Sequence, residues 1–64
     1  MIVQESPTYK LEVKVQWLDP QQVHLQVITH NFEKRGWETA TRNFFMEPSA
    51  LSKLADYIND TLCL

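Results

Sequence analysis

The sequence predicts an α+β fold: a three-stranded antiparallel meander with one C-terminal helix packed on one face (β-β-β-α), forming a single domain over residues 1–64. Three observations favour this fold. Two segments alternate apolar and polar side chains, as half-buried strands do. A third segment is rich in threonine and aromatic residues, which favour strands. The last segment repeats its apolar residues at helical spacing.

The first two strands are predicted from "YKLEVKVQW" (residues 9–17) and "VHLQVIT" (residues 23–29). Between them, Pro20 presets the backbone for a turn, and the Asp19 carboxylate can accept hydrogen bonds from the turn amides. Both apolar sets share a face only if Trp17 lies opposite Val23, across a five-residue loop. The same register predicts Gln16 beside His24, Lys14 beside Gln26 and Glu12 beside Ile28 on the other face.

The third strand is predicted from "GWETATRNFFM" (residues 36–46), and residues 31–36 are predicted to be the hairpin loop before it. Gly36 can adopt the positive φ that such loops often need. One register of this strand buries Asn43 and the other buries Arg42. We therefore expect a β-bulge near Asn43.

The aromatic residues of this region divide between core and loop. Trp37 is predicted to be in the core, together with either Phe44 or Phe45. Phe32 is predicted to lie in the loop without obvious burial. This segment is thus predicted to form a turn and a strand, and a role as a contact surface is the secondary interpretation.

The C-terminal helix is predicted from "MEPSALSKLADYINDTL", with Pro48 in its first turn. One stripe of the helix is apolar, formed by Leu51, Leu54, Ala55, Ile58 and Leu62. At the other end of the chain, "MIV" is expected to add a short edge strand or to cross to a second subunit.

Enzymatic function is not expected. His24 and His30 lie six residues apart on one strand, about 20 Å at roughly 3.3 Å per residue, so they cannot share one metal ion. The sole cysteine, Cys63, excludes an intramolecular disulfide and a four-cysteine zinc site. A single glycine excludes a glycine-rich phosphate loop. We expect no catalytic residues, no metal and no cofactor.

The location and assembly of the chain follow from its size and patterning. No apolar run reaches the roughly 18 residues of a membrane span, and no signal peptide is evident, so a cytoplasmic protein is expected. A small domain without disulfides gains core by symmetric pairing, and a meander leaves two open edges. We therefore expect a homodimer.

By elimination, the sequence favours a non-catalytic protein-binding module, such as an adaptor, a regulator or a phage-type inhibitor of a host protein. The helix covers only one side of the sheet, so the open side and the second loop are the expected contact surface. Ile28 and Phe32 are the expected apolar anchors. The predicted partner-binding residues are Gln16, His24, Gln26, Ile28, Phe32, Arg35 and Arg42.

A sheet-based single-stranded nucleic-acid binder is the alternative, using Lys10, Lys14, Lys34, Arg35 and Arg42. The net charge of −2 counts against it. The strand-to-helix junction "FFMEPSALSKLADYI" and the order of elements resemble the PC4-type single-strand DNA-binding coactivators, and this resemblance implies the same function. The cationic residues of that family are not matched.

A third possibility rests on the N-terminal segment "IVQES", which is similar to the edge segment of phage uracil-DNA glycosylase inhibitors. Those proteins mimic DNA with an acidic strand edge. The resemblance implies a DNA-mimic inhibitor of a DNA-repair glycosylase, with Gln4, Glu5 and Ser6 at the matching positions. The rest of the chain departs from that family, which is strongly acidic.

Overall fold

The computed structural model describes residues 1–63, which form four strands and one C-terminal helix. The elements are β1 (Ile2–Ser6), β2 (Tyr9–Asp19), β3 (Gln22–Glu33), β4 (Gly36–Met46) and α1 (Pro48–Leu62). The strands form one antiparallel sheet in the order β1-β2-β3-β4. The α+β class and the strands-then-helix order are confirmed. The predicted count of three strands is wrong, because the N-terminal segment forms a fourth.

Strand β1 pairs with β2 at the edge of the sheet. A two-residue turn, Pro7 and Thr8, brings Ser6 opposite Tyr9, and the register shifts between Ile2 and Gln4. The Met1 ammonium nitrogen donates to the Val13 carbonyl at 2.9 Å, and the Val13 amide donates to the Met1 carbonyl at 2.8 Å. The N-terminal segment therefore adds an edge strand within the same chain.

Strands β2 and β3 pair in the register that the alternation of side chains predicts. Trp17 lies opposite Val23, and Gln16 lies opposite His24. The turn is shorter than the predicted five residues, because Asp19 already pairs with Gln22 and a register shift follows Trp17. As expected, the Asp19 carboxylate accepts a hydrogen bond from the turn, with Gln21 N 2.7 Å from Oδ1.

Strands β3 and β4 pair without interruption from Val23 opposite Met46 to Glu33 opposite Gly36. The predicted bulge near Asn43 is therefore wrong. The loop is also shorter than predicted: only residues 34 and 35 lie between the strands, and Phe32 belongs to β3. Gly36 does adopt a positive φ, of 107°.

The register sorts the side chains onto two faces, since alternate residues of a strand point to opposite sides. The apolar sheet face is formed by Leu11, Val13, Val15, Trp17, Val23, Leu25, Val27, Ala40, Arg42, Phe44 and Met46. The polar sheet face is formed by Lys10, Glu12, Lys14, Gln16, His24, Gln26, Ile28, His30, Phe32, Trp37, Thr39, Thr41, Asn43 and Phe45. Each set is continuous across β2, β3 and β4.

Of the two registers that the sequence left open for β4, the structure adopts the one with Arg42 on the apolar sheet face, opposite Val27. Arg42 lies on the edge strand β4 and is exposed. The predicted core position of Trp37 is wrong: it lies on the polar sheet face and is 51% exposed.

Helix α1 begins with Pro48 in its first turn, as expected, and ends at Cys63 in a left-handed conformation with φ 57°. It does not pack on the sheet of its own chain, because none of its 15 described residues is buried. A single extended residue, Glu47 with φ −70° and ψ 150°, connects it to β4. The predicted packing of the helix on one sheet face is absent from the single chain over residues 1–63.

The resulting molecule is flat. Its principal extents are 41 × 31 × 13 Å, and among residues 1–63 only Val23 and Ile28 are buried hydrophobic residues, at 2% and 8% exposure. Within the same residues, α1 is too short and too polar to cross a membrane. The fold therefore leaves most of its apolar side chains in contact with solvent.

Candidate protein-binding surface

The polar sheet face is joined across strands by hydrogen bonds between side chains. Asn43 on β4 lies opposite Gln26 on β3, and the Asn43 Oδ1 atom receives two bonds. His24 Nε2 lies 2.8 Å from this oxygen, and Gln26 Nε2 lies 3.1 Å from it. Because a carboxamide oxygen only accepts, His24 carries its proton on Nε2. The side chains of His24 and Gln26, two predicted binding residues, are thus held in place before any partner arrives.

His24 also contacts an aromatic residue of β4. Its ring stacks on the Phe45 ring, with centroids 4.8 Å apart and planes inclined by 10°. Phe45 is 59% exposed, so the stacked pair presents one aromatic face to solvent. At this end of the polar sheet face, the side chains are ordered by stacking and hydrogen bonds, and part of the exposed surface is apolar. The Gln16 side chain lies beside it on β2, opposite His24.

Ile28 lies in the middle of the polar sheet face, between Glu12 on β2 and Thr41 on β4. It is only 8% exposed and lies on β3, which has a neighbouring strand on each side. The expectation that Ile28 serves as an apolar anchor stays a prediction, which the low exposure of its side chain in the single chain does not favour. Neighbouring side chains cover Ile28, so it offers little surface area for contact with a partner.

His30 continues the polar sheet face beyond Ile28. Its Nδ1 atom shares a hydrogen bond with Thr39 Oγ1 at 3.0 Å. Its Nε2 atom lies 3.7 Å from Glu12 Oε1 and has no hydrogen-bond partner among the described residues. Nowhere in residues 1–63 do three histidine, cysteine or carboxylate side chains come close enough to hold a metal ion.

The tip of the β3–β4 hairpin carries the most exposed aromatic pair of this face. Phe32 lies opposite Trp37, and their rings meet edge to face with centroids 5.5 Å apart. Phe32 is 52% exposed and Trp37 is 51% exposed. The turn residues Lys34 and Arg35 follow directly, and Phe32, Arg35 and Glu38 line one open depression. Phe32 and Arg35 thus line the same depression, and the Trp37 ring meets Phe32 at the hairpin tip.

The predicted binding residues therefore divide into two groups and two separate residues. Gln16, His24 and Gln26 lie together at one end of the polar sheet face, and Phe32 and Arg35 lie together at the hairpin tip. Ile28 lies between these groups but is buried. Arg42 lies on the apolar sheet face, away from all of them. Glu38 shares the face of Arg42.

Reasoning from the sequence missed Trp37 as a surface residue and did not assign Phe45 to either face. Counting a two-residue turn at Lys34 and Arg35 would have found both, because it places Phe32 opposite Trp37 and His24 opposite Phe45. The sequence favoured a longer loop, since residues 31–36 are mostly polar. Most of these residues are polar because they lie at the exposed end of the hairpin, where strand and turn residues both contact water.

The three N-terminal residues with a likeness to glycosylase inhibitors lie on the edge strand β1. Gln4, Glu5 and Ser6 are all exposed, and Glu5 lies opposite Lys10 on β2. A lysine directly across the strand pair offsets the negative charge of Glu5. The described edge therefore lacks the uninterrupted acidic character of a DNA mimic.

The chain matches no protein-family model, no curated protein and no solved structure. Its function therefore has to be inferred from its own side chains and their geometry.

Proposed function

We propose that this protein is a non-catalytic protein-binding module that acts in the cytoplasm as a homodimer. The exposed Phe32–Trp37 pair beside Arg35 carries this proposal. Aromatic residues and arginine dominate the residues that contribute most to protein–protein affinity. An adaptor, a regulator or a phage-type inhibitor of a host protein would use such a site.

The remainder of the polar sheet face supplies the rim of the contact. Gln16, His24 and Gln26 offer hydrogen-bonding groups at the other end of this face from Phe32 and Trp37, and polar groups of this kind form the rims of protein interfaces. His24 and Gln26 are already fixed by Asn43, so little side-chain entropy is lost when a partner binds. The hairpin tip provides the affinity, and the ordered polar residues provide the specificity.

The homodimer is supported by the shape of the single chain. A compact protein of 64 residues has a radius of gyration of about 11 Å, whereas this chain has 14.2 Å. Two buried hydrophobic residues among the 63 described are too few to offset the conformational entropy lost on folding. A second copy supplies the missing burial.

Affinity capture from cell lysate tests the protein-binding proposal. Tagged wild type is compared with Phe32→Ser and Arg35→Glu, each with a matched control on the helix: Tyr57→Ser, which removes another exposed aromatic, and Lys53→Glu, which makes the same charge change. We expect the wild type and the two controls to capture a protein that stays bound after nuclease treatment. The two tip variants should no longer capture this protein. Equal retention by all four variants contradicts the assignment of the tip.

A single-stranded nucleic-acid binder remains the second candidate, and one observation favours it. The polar sheet face carries Trp37 and Phe45 near its two ends, with Lys10 and Lys14 on β2. Aromatic side chains that stack bases, beside cations that contact phosphates, are typical of sheet-based single-strand binders.

Fluorescence anisotropy of a labelled oligothymidine tests this candidate. It predicts binding that weakens steeply as salt is added, because phosphate contacts release counterions. Trp37→Ala should reduce the affinity, whereas Tyr57→Ala should not. Absence of binding at low salt contradicts the candidate.

A further inference from the structure

Two apolar surfaces of this chain lack a partner within it. The first is the apolar sheet face, where Val15, Trp17 and Phe44 are 54%, 65% and 47% exposed. The second is the helix stripe, which consists of Leu51, Leu54, Ala55, Ile58 and Leu62. Of these, Leu54, Ile58 and Leu62 are 42%, 45% and 61% exposed. Soluble proteins rarely leave contiguous apolar surfaces of this extent uncovered.

The two surfaces cannot readily cover each other within one chain. A strand-to-helix connection that returns a helix onto its sheet usually has about two to six residues. Here Glu47 alone separates Met46, the last residue of β4, from Pro48, the first of α1. No residue of α1 is buried, and among the described residues of its stripe only Leu51 is not exposed.

The helix stripe is short enough to fit within the apolar sheet face. A helix of 15 residues is about 22 Å long. A strand of 11 residues, such as β2 or β4, is about 36 Å long. One helix therefore fits along the apolar sheet face with its whole stripe in contact.

We propose that the C-terminal helix α1 of each chain packs on the apolar sheet face of a second copy of the same chain. The two chains are related by a two-fold axis, so each helix packs on the sheet of the other chain. Both helix stripes and both apolar sheet faces are then covered. This inference rests on the homodimer in the proposed function and specifies how it is built. It also leaves both polar sheet faces and both hairpin tips free for a partner.

The exposed area of the chain agrees with this arrangement. A folded monomer of 7.6 kDa exposes about 4,300 Å², whereas the single chain exposes 5342 Å². The excess of about 1,000 Å² is close to the roughly 800 Å² that each partner buries in a stable protein interface. Pairing of strand edges alone would leave the apolar sheet face exposed and would not account for this excess.

Isotope-filtered NMR on the intact chain tests the helix exchange directly. A sample mixed from ¹³C-labelled and unlabelled chains, unfolded and refolded together, reports only contacts between chains. We expect intermolecular NOEs from the methyl groups of Leu54 and Ile58 to those of Val13, Val15 and Val27. Light scattering on the same sample gives the stoichiometry.

The possible outcomes separate this inference from the rest of the proposed function. A dimer whose intermolecular NOEs join only helix to helix, or only strand edges, overturns the exchange but keeps the homodimer. A monomer overturns both, and leaves the hairpin tip as a protein-binding site to be judged by affinity capture.

A pair of neighbouring substitutions on α1 gives an independent measurement. Leu54→Gln removes an apolar side chain from the helix stripe, whereas Lys53→Gln alters the opposite side of the helix. We expect Leu54→Gln to raise the dimer dissociation constant about tenfold or more, and Lys53→Gln to change it less than about threefold. Equal effects of the two substitutions contradict the proposal.

Discussion

At the scale of single residues, Asn43 is the side chain that makes two hydrogen bonds from β4 to β3 on the polar sheet face. Its Oδ1 atom accepts from both His24 and Gln26. These groups are partly exposed, so water competes for them and each bond stabilises the fold only modestly. They also restrict the side-chain positions of His24 and Gln26, which the proposed binding function would use.

Replacement of Asn43 by alanine should lower the free energy of unfolding by about 0.5–1 kcal/mol, the range of cross-strand pairs. Urea unfolding at one fixed protein concentration measures it. A double-mutant cycle with His24→Ala isolates the His24–Asn43 bond. A coupling energy indistinguishable from zero would show that the bond does not contribute to stability.

Gly36 is the residue whose backbone the β3–β4 turn constrains most. Its φ of 107° lies in a region that L side chains rarely adopt, and a Cβ there would meet no atom within 4 Å. A side chain at position 36 would therefore destabilise the fold through backbone strain and not through a steric clash.

Gly36→Ala should destabilise the fold by about 1 kcal/mol or more. A synthetic chain with D-alanine at this position is the matched control, because D-residues favour positive φ. The D-alanine chain should be at least as stable as wild type in urea unfolding. Equal destabilisation by both enantiomers would contradict the strain explanation.

At the scale of elements, the strands and the helix differ in how they are stabilised. The strands are held by continuous ladders and defined turns, whereas α1 buries none of its described side chains and ends without a basic residue in its last turn. The Cys63 amide caps the helix by donating to the carbonyls of Asn59 and Asp60. Cys63 does so at a positive φ of 57°, which glycine adopts with less strain.

Cys63→Gly should therefore stabilise the helix end by about 0.5–1 kcal/mol. Cys63→Ser, which keeps the Cβ atom and also removes the thiol, should have little effect. Thermal unfolding followed by circular dichroism compares the two variants under reducing conditions. If Cys63→Ser stabilised the chain against thermal unfolding as much as Cys63→Gly, the effect would come from loss of the thiol and not from relief of the positive φ.

At the scale of the whole molecule, the flat shape of the chain governs its stability. A sheet only one layer thick exposes both faces, and a helix that points away from it adds no second layer. Domains are stable when two layers enclose one core. In the proposed homodimer, the second layer comes from another copy of the chain.

The unfolding transition should therefore depend on protein concentration. For a dimer that unfolds to two chains, each tenfold increase in concentration stabilises the folded state by about 1.4 kcal/mol of dimer. Chemical unfolding across a hundredfold range of concentration measures this shift. A midpoint that does not move would indicate a folded monomer and contradict the homodimer.

The sequence by itself determined the local structure. Alternation of side chains defined β2 and β3 and their register, Pro20 and Gly36 marked turns, and Pro48 with its apolar repeat marked the helix. These features depend on neighbours in the chain or on one partner strand, so the sequence shows them directly. The expected positions of Gln16, His24 and Gln26 on one face follow from the same alternation.

Only the tertiary structure decided where the faces of β4 point and where the helix goes. The edge position of β4 lets Arg42 share the apolar sheet face, which turns Trp37 and Phe45 toward the polar sheet face. The central position of β3 buries Ile28 under its neighbours. The single extended residue Glu47 directs α1 away from its own sheet. Each outcome depends on the position of an element among the others, which the spacing of residues along the chain does not encode.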